Sequence, residues 1–250
     1  GCHVEHLGGE PTGHFWHEPE PIASNLHGLC DAVVSVGADL GCAQDPDADR
    51  LALVDEQGRY VGEEYTLVLA VWRMLLDHPD VSVVANLSTS RMIDDLAARF
   101  GATVHRSAVG EANVAAKMQS VGAPIGGEGN GGVMLPAVTW IRDSMTAMVF
   151  VLDLMRRENK TLSALVDSLP AYVILKDKLP LRDRADLEPA LDRLRTGFDG
   201  AMINDSDGVR VDLESAWAHV RPSNTEPIAR IIVEAPDEAS ATALIERVRS

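Results

Sequence analysis

The segment AQDPDADRLALVDEQG, residues 43–58, sets three aspartates, Asp45, Asp47 and Asp49, at alternate positions, then an arginine and the apolar run LALV. LGCAQ before the loop and RLALVD after it read as strands, so the aspartates fall on the connection between them. Neighbouring carboxylates repel one another and resist leaving water. Two readings are open at this point: a solvated acidic turn, or a loop holding a hard cation through carboxylate oxygens. Glu56 stands eleven residues after Asp45, the spacing of an EF-hand loop, but such a loop needs glycine at its sixth position, which here is Arg50. Its second half would also be the strand-like LALV, so an EF-hand is rejected. Three carboxylates leave coordination room on Mg²⁺ for a substrate oxygen, as at sites of phosphoryl transfer.

Outward from this loop, strand and helix signals alternate. CHVEHL at the start reads as a strand, and GGEPTGHFWHEPEP as loop. The next stretch, SNLHGLCDAVVSVGAD, reads as a helix capped by Ser24 or Asn25 and ended near Gly37. GRYV is expected to return against RLALVD as a hairpin around EQG. From about residue 60, helix EEYTLVLAVWRMLLDH is followed by strand VSVVANL and by helix STSRMIDDLAARFG with a serine cap. Strand ATVHRSAV, helix EANVAAKMQSVG, short strand API, a glycine-rich loop and the long helix WIRDSMTAMVFVLDLMRREN complete this part. Such alternation implies βαβ units on a mixed, mainly parallel sheet with flanking helices. From residue 170 the pattern changes to α+β: strands in AYVILKDKLPL and GVRVDLESAWAHVRPS, helices in DLEPALDRLRTGF and DEASATALIERVRS. The predicted parts are 1–59, 60–169 and 170–250.

Composition limits the function classes. The chain has 250 residues, 46% hydrophobic and 24% charged, ordinary for a globular protein. A formal charge of −16 argues against a nucleic-acid-binding surface as the main business, since that needs a basic footprint. Anionic small molecules would need a local cationic site. Cys2, Cys30 and Cys42 form no disulfide framework and no metal spacing, which points to a reducing compartment, the cytoplasm. No apolar run reaches the length of a membrane span. The sequence starts at Gly1 without a signal-peptide pattern, and is expected to continue from a longer protein.

Two further loops carry chemistry. In IGGEGNGGVMLP, glycines surround Glu128 and Asn130, which have the groups to bind adjacent sugar hydroxyls; a purely structural glycine turn is the competing reading. In RPSNTEPIAR, Arg221, Ser223, Asn224 and Thr225 lie between two strand-like runs and offer donors suited to phosphate, with Arg230 as support; a polar connection is the competing reading.

The three loops together resemble those of the α-D-phosphohexomutase superfamily, which includes phosphoglucomutases, phosphomannomutases and phosphoglucosamine mutases. DPDADR resembles its metal loop, GGEGNGG its sugar loop and RPSNTEP with Arg230 its phosphate loop, in the family's order. VGEANVAAKM and NLSTSRM resemble its third domain and PEPIASNL its second. The resemblance implies the later part of domain 2, domain 3 and domain 4, with the N-terminal domain and its phosphoserine missing. Ser88 and Ser90 belong to the domain-3 motif and are no substitutes. It implies a hexose phosphate as substrate, Mg²⁺ on Asp45, Asp47 and Asp49, and a hexose bisphosphate as activator. Arg50 would stand beside the transferring phosphate, Glu128 and Asn130 would grip the sugar, and Arg221, Ser223, Asn224, Thr225 and Arg230 would hold the phosphate not reacting. His105, Arg106 and Lys117 are candidate specificity residues. The GEGNGG loop tilts the expectation to a phosphoglucosamine or phosphomannomutase type. Two departures stand out: the usual G-E-x-S-G-H has Asn130 for serine and Gly132 for histidine, and Pro46 replaces a glycine in the metal loop. A sugar-phosphate-binding module without catalysis is the alternative, and a phosphatase with an aspartyl nucleophile from DPDAD is a third reading.

Overall fold

The computed structural model describes residues 1–223 and 226–249. LGCAQ forms β1 (Leu40–Gln44) and LALVD forms β2 (Leu51–Asp55), antiparallel with Gln44 opposite Leu51. The aspartates therefore close a hairpin. Every residue of β2 is buried, and Leu51 and Leu53 join the core of the following part. The aspartate loop is thus anchored by apolar packing to the unit that carries the glycine-rich loop.

Before the hairpin lies α1 (His27–Val36), ended by Gly37 in the left-handed region at φ 66°. Ser24 and Asn25 do not cap it. They belong to a single 3₁₀ turn, and the helix starts after Leu26, whose side chain is buried. CHVEHL is not a strand: residues 1–6 are irregular and exposed. The sheet of β1 and β2 has two strands among the described residues, so this segment has no neighbour to satisfy its backbone. The predicted return of GRYV reduces to one bridge, Val54 to Tyr60, because Asp55 Oδ1 takes the N–H groups of Gln57 and Arg59 and closes the turn tightly.

The middle part is built on α2 (Glu63–Asp77), whose apolar residues point in every direction and are buried accordingly. Around it come β3 (Ser82–Asn86), α3 (Met92–Phe100), β4 (Thr103–Ser107), α4 (Glu111–Val121), β5 (Ile125–Glu128), β6 (Gly132–Met134), α5 (Ser144–Glu158) and α6 (Leu162–Val166). The sheet order is β4-β3-β5-β6, with β3 parallel to β4 and β5 and β6 antiparallel to β5. One face packs on α2, α3 and α5. The other packs on α4 through Val84, Val114, Met118 and Met134. Helix α3 starts at Met92, later than the serine run, with Ser90 Oγ accepting the Met92 N–H.

The expected API strand and glycine loop divide differently. β5 includes Gly126, Gly127 and Glu128, so half of the glycine run is strand. The reason is close approach: a Cβ on Gly126 would lie 2.8 Å from the Val84 carbonyl oxygen, and one on Gly127 would overlap that of Gly132.

The C-terminal part is an antiparallel sheet in the order β7-β11-β10-β9-β8. Its strands are β7 (Val173–Pro180), β8 (Met202–Asn204), β9 (Val209–Asp212), β10 (Trp217–Pro222) and β11 (Ile228–Ala235). Helices α7 (Glu188–Thr196) and α8 (Glu238–Arg249) share its separate core. The whole is a mixed α/β architecture followed by an α+β part, as expected. GVRVDLESAWAHVRPS resolves into two strands joined by a turn.

Gly127→Ala would gain a little from a stiffer unfolded chain, but the methyl must displace a strand backbone. We expect a net loss of about 1–3 kcal/mol, read from the urea midpoint.

Candidate active site

The aspartate loop is folded by its own first member. Asp45 Oδ1 accepts the N–H groups of Asp49 (3.1 Å) and Arg50 (3.0 Å), and Oδ2 takes Arg50 Nε at 2.5 Å. Ala48 sits at φ 58° at the tip, and its carbonyl accepts Ser144 Oγ from the start of α5 at 2.6 Å. Burial pushes the Asp45 carboxyl up, but the Arg50 N–H and guanidinium outweigh it and hold it below its ordinary range. Asp49 is pushed up by burial, against Arg142, with the charges of Asp45 and Asp47 adding to the rise. One oxygen from each aspartate can lie within 4.8 Å of the others. Asp49 Oδ2 meets Arg142 Nη2 at 2.6 Å, while Oδ1 is buried with no hydrogen-bond partner. A buried, unpartnered carboxylate oxygen beside two more carboxylates suits a hard divalent cation. Arg50 also reaches Glu20, Nη1 to Oε1 at 2.9 Å.

Glu128, the last residue of β5, is 4% exposed and fully engaged. Its Oε1 accepts Asn86 Nδ2 (2.7 Å) and Gly110 N (2.9 Å), and its Oε2 faces Arg142 Nη1 at 3.2 Å. Asn130 is half-buried at the turn, its Oδ1 accepting Gly132 N at 3.2 Å. Glu128 is therefore a knot within the protein as well as a candidate sugar contact.

Arg221, the last residue but one of β10, stands directly opposite Arg230 on β11. Like charges paired across strands repel, and the Nε of each is buried without a hydrogen-bond partner. Burial pushes the Arg221 guanidinium down, and Arg230 adds to this. Ser223 is buried beside them, its Oγ accepting Glu226 N at 3.3 Å. Two arginines held together with both Nε donors unfilled make a candidate anion site. Asn224 and Thr225 lie outside the described residues.

The three loops share one network. It runs from Asp49 through Arg142 to Glu128 and then to the N–H of Gly110. The adjacent N–H of Val109 bonds Asp207 Oδ2 at 2.9 Å, and that oxygen lies 3.9 Å from Arg221 Nε. Arg142 and Asp207 were not foreseen. In sequence each is an ordinary polar residue next to a turn or a helix start. His105, Arg106 and Lys117 do not join the network among the described residues. His105 Nε2 meets Ser82 Oγ at 3.2 Å. Arg106 bonds the carbonyls of Asn86, Thr89 and Ser90 and pairs with Asp94, so it folds the loop after β3. Lys117 lies half-buried on α4.

Family models match nearly the whole chain. Residues 1–58 match the model of phosphoglucomutase/phosphomannomutase alpha/beta/alpha domain II, residues 62–172 that of domain III, and residues 173–250 that of the C-terminal domain. The chain belongs to the phosphoglucomutase/phosphomannomutase family. It is 37% identical to a probable phosphoglucosamine mutase of Methanopyrus kandleri over 98% of this chain and 54% of that one. It is 36% identical to a phosphoglucomutase/phosphomannomutase of Thermococcus kodakarensis, again over 98% and 54%. A crystal structure of a phosphoglucomutase/phosphomannomutase family protein from Burkholderia thailandensis superposes with a TM-score of 0.79 at 26% identity, covering 92% of this chain and 50% of that one. The chain spans about half the length of the curated relatives it matches. No helix among the described residues is long and apolar enough to cross a membrane.

In this family member the middle part and the C-terminal part meet through polar contacts. His219 Nε2 lies 2.7 Å from the Asp207 carbonyl oxygen, which only accepts, so Nε2 carries the proton and Nδ1 accepts from Ser88 Oγ at 2.9 Å. Arg210 stacks on Trp217 at 4.2 Å and donates to Leu87 O at 2.5 Å. Glu234 Oε1 accepts Trp217 Nε1 (2.7 Å) and Arg91 N (2.9 Å). Nearby, Glu64 Oε2 accepts Ser90 N at 2.9 Å, and a cavity of about 340 Å³ separates it from Tyr172 and Lys176.

Two of these groups titrate out of their usual ranges. Burial, with Arg210 against the Asp207 carbonyl, pushes His219 from 6.5 down to about 4. It should stabilise the fold fully above pH 6.5, and this contribution should fall as pH drops through 4, by on the order of 3 kcal/mol. Burial pushes Glu64 from 4.5 up to about 8, so its contribution is greatest below pH 4.5 and is lost as pH rises through 8. Urea titrations across pH should show His219→Gln flattening the acid limb and Glu64→Gln the alkaline one.

Proposed function

We propose that this chain supplies the metal, sugar and phosphate loops of a phosphohexomutase of phosphoglucosamine or phosphomannomutase type. Its parts are taken as residues 1–59, 60–169 and 170–250. The reaction interconverts hexose 1- and 6-phosphates through a phosphoserine and a hexose bisphosphate, the serine lying outside this chain on an N-terminal domain. The cytoplasm is the compartment, in keeping with three unpaired cysteines.

One observation carries the reading. Three clustered aspartates, Asp45, Asp47 and Asp49, are linked through Arg142, Glu128 and the Val109–Gly110 backbone to Asp207, which lies 3.9 Å from Arg221 in the Arg221–Arg230 pair, with a candidate sugar residue, Glu128, between the two ends. A sugar phosphate needs both ends at once. Asp45, Asp47 and Asp49 hold Mg²⁺, which when bound stabilises the negative charge of a phosphoryl group in transfer. Arg50, fixed by Asp45 and Glu20, places a guanidinium beside that group. Arg221, Ser223 and Arg230, with Asn224 and Thr225, bind the phosphate that does not react. Glu128 and Asn130 orient the hydroxyls between them. After one transfer the bisphosphate must turn over, so that the same anion site receives the other phosphate. His105, Arg106 and Lys117 then act on sugar choice through the β3–α3 loop and α4 rather than by touching the network.

The test uses the whole protein with its N-terminal domain, Mg²⁺, a catalytic amount of hexose 1,6-bisphosphate and the 1-phosphates of glucose, mannose and glucosamine in turn. Phosphorus NMR should show a 6-phosphate forming. Arg221→Ala should raise KM about 10–100-fold, the effect of losing a charge-assisted contact. Release of free phosphate instead would support the phosphatase reading. Substrate binding without conversion would support the non-catalytic module.

A further inference from the structure

The guanidinium of Arg142 touches carboxylates from three different elements. Nη2 meets Asp49 Oδ2 at 2.6 Å, Nη1 meets Glu128 Oε2 at 3.2 Å and Nε meets Glu111 Oε2 at 3.2 Å. Its own backbone N–H bonds the same Glu111 oxygen at 3.0 Å, so the residue is held at both ends. Its stem lies across Gly132, where a Cβ would overlap Arg142 Cδ. From these contacts we infer that Arg142 is a positioning residue that fixes Asp49 as a metal ligand and ties the aspartate loop to the glycine-rich loop. This rests on the metal reading of the aspartate loop.

The physical case turns on rotation. An aspartate carboxylate swings about χ2 through a broad range unless something holds it. Here one oxygen is pinned by Nη2, and the pin fixes the other. That other oxygen, Oδ1, is the one left buried without a donor. Asp45 needs no such help, since backbone N–H groups and Arg50 hold both its oxygens. Asp49 accepts no hydrogen bond from its own loop, where Arg50 Nε stands 4.0 Å from Oδ1, so the close contact that sets its orientation comes from outside, from a residue just before α5. A planar fork can satisfy three acceptors at fixed angles, whereas a lysine ammonium is a point charge that cannot hold the same three. The glycine at 132 belongs to the same device, because any side chain there would push the fork off its carboxylates. Through Glu128 the fork also reaches Asn86 and Gly110, so the position of the third metal ligand and the shape of the sugar loop are set by one group.

Substitutions that keep the positive charge separate position from simple electrostatics. Arg142→Lys keeps the charge and loses the fork. Gly132→Ala keeps the arginine and displaces it. The probe is Mn²⁺ alone, followed by electron paramagnetic resonance of the free ion, with urea melts to confirm that each variant is folded. Each variant should raise the Mn²⁺ Kd about 10–100-fold, the usual effect of losing a partner of a metal ligand. The double variant should be little worse than either single one, since both act through the same guanidinium. A folded Arg142→Lys and Gly132→Ala with the wild-type Kd would overturn the inference, as would full additivity. Asp49→Asn tests the reading beneath it. If Asp49→Asn weakens Mn²⁺ and the two other variants do not, the metal loop stands and the role of Arg142 falls. If Asp49→Asn leaves Mn²⁺ binding unchanged, both fall together.

Discussion

A carboxylate taken out of water has to find donors, and the one on Glu128 finds them at the ends of three other segments. Asn86 closes β3, Gly110 precedes α4 and Arg142 precedes α5. These positions are the carboxyl edge of the parallel strands. The chain leaves β3 on one side to form β4 and returns on the other to form β5, so the strand order reverses between β3 and β5. In open α/β sheets that crevice is where ligands bind, because the loops on either side diverge and leave room. Glu128 sits in the crevice, and its need for hydrogen bonds draws the surrounding loops together. Without it the glycine-rich turn would lack its link to both β3 and α5.

Charge balance explains why these loops remain close. Asp45, Asp49, Glu20, Glu111 and Glu128 are matched by only two arginines, Arg50 and Arg142. Asp47 adds a further carboxylate to the same loop. An excess of negative charge at short range is costly when partly desolvated, and a divalent cation is the simplest way to offset it. At the other end Arg221 and Arg230 stand side by side, with Glu226 3.0 Å from Arg230 and Asp207 3.9 Å from Arg221. On the proposed function, a cation at the aspartates would offset the acidic excess, and a phosphate at the arginines would compete with Glu226 and Asp207 for their donors.

Much of this architecture was legible in the sequence. The three-sided apolar pattern of α2 and the β-branched run of β3 read directly as a buried helix and strand. Gly37 marked a helix end, and it takes the left-handed conformation there. The aspartate, glycine-rich and arginine loops were visible because each concentrates one kind of chemistry in a few residues. The errors have physical causes. CHVEHL has the composition of a strand but no partner, and β pairing is a property of two segments. The glycine run looked like a loop because glycine is common in turns, yet two of its glycines serve close strand packing. The helix α6 and strand β8 are shorter than the window in which periodicity can be read. Arg142, Asp207 and His219 were hidden for another reason. Their importance comes from what lies across the fold from them, at separations of up to 131 residues, and no local pattern records that.

The phosphate loop depends on a junction of a different kind from the rest. The middle and C-terminal parts have separate apolar cores, and what joins them is polar: Ser88 to His219, Arg210 to Leu87, Glu234 to Arg91, and Val109 to Asp207. Hydrogen bonds of this sort exchange with water at small net cost, whereas separating a shared apolar core would expose its surface. The C-terminal sheet can therefore be held in register with the sugar loop and still be released as a unit. Release would carry Arg221 and Arg230 away from Glu128 without disturbing Asp49 or Arg142, since those belong to the middle core through β2 and α5. On the proposed function, a site that takes in one phosphate ester, lets it reverse and lets it leave would need one fixed end and one that can open. The division between apolar anchoring at the aspartate loop and polar docking at the arginine loop provides that asymmetry.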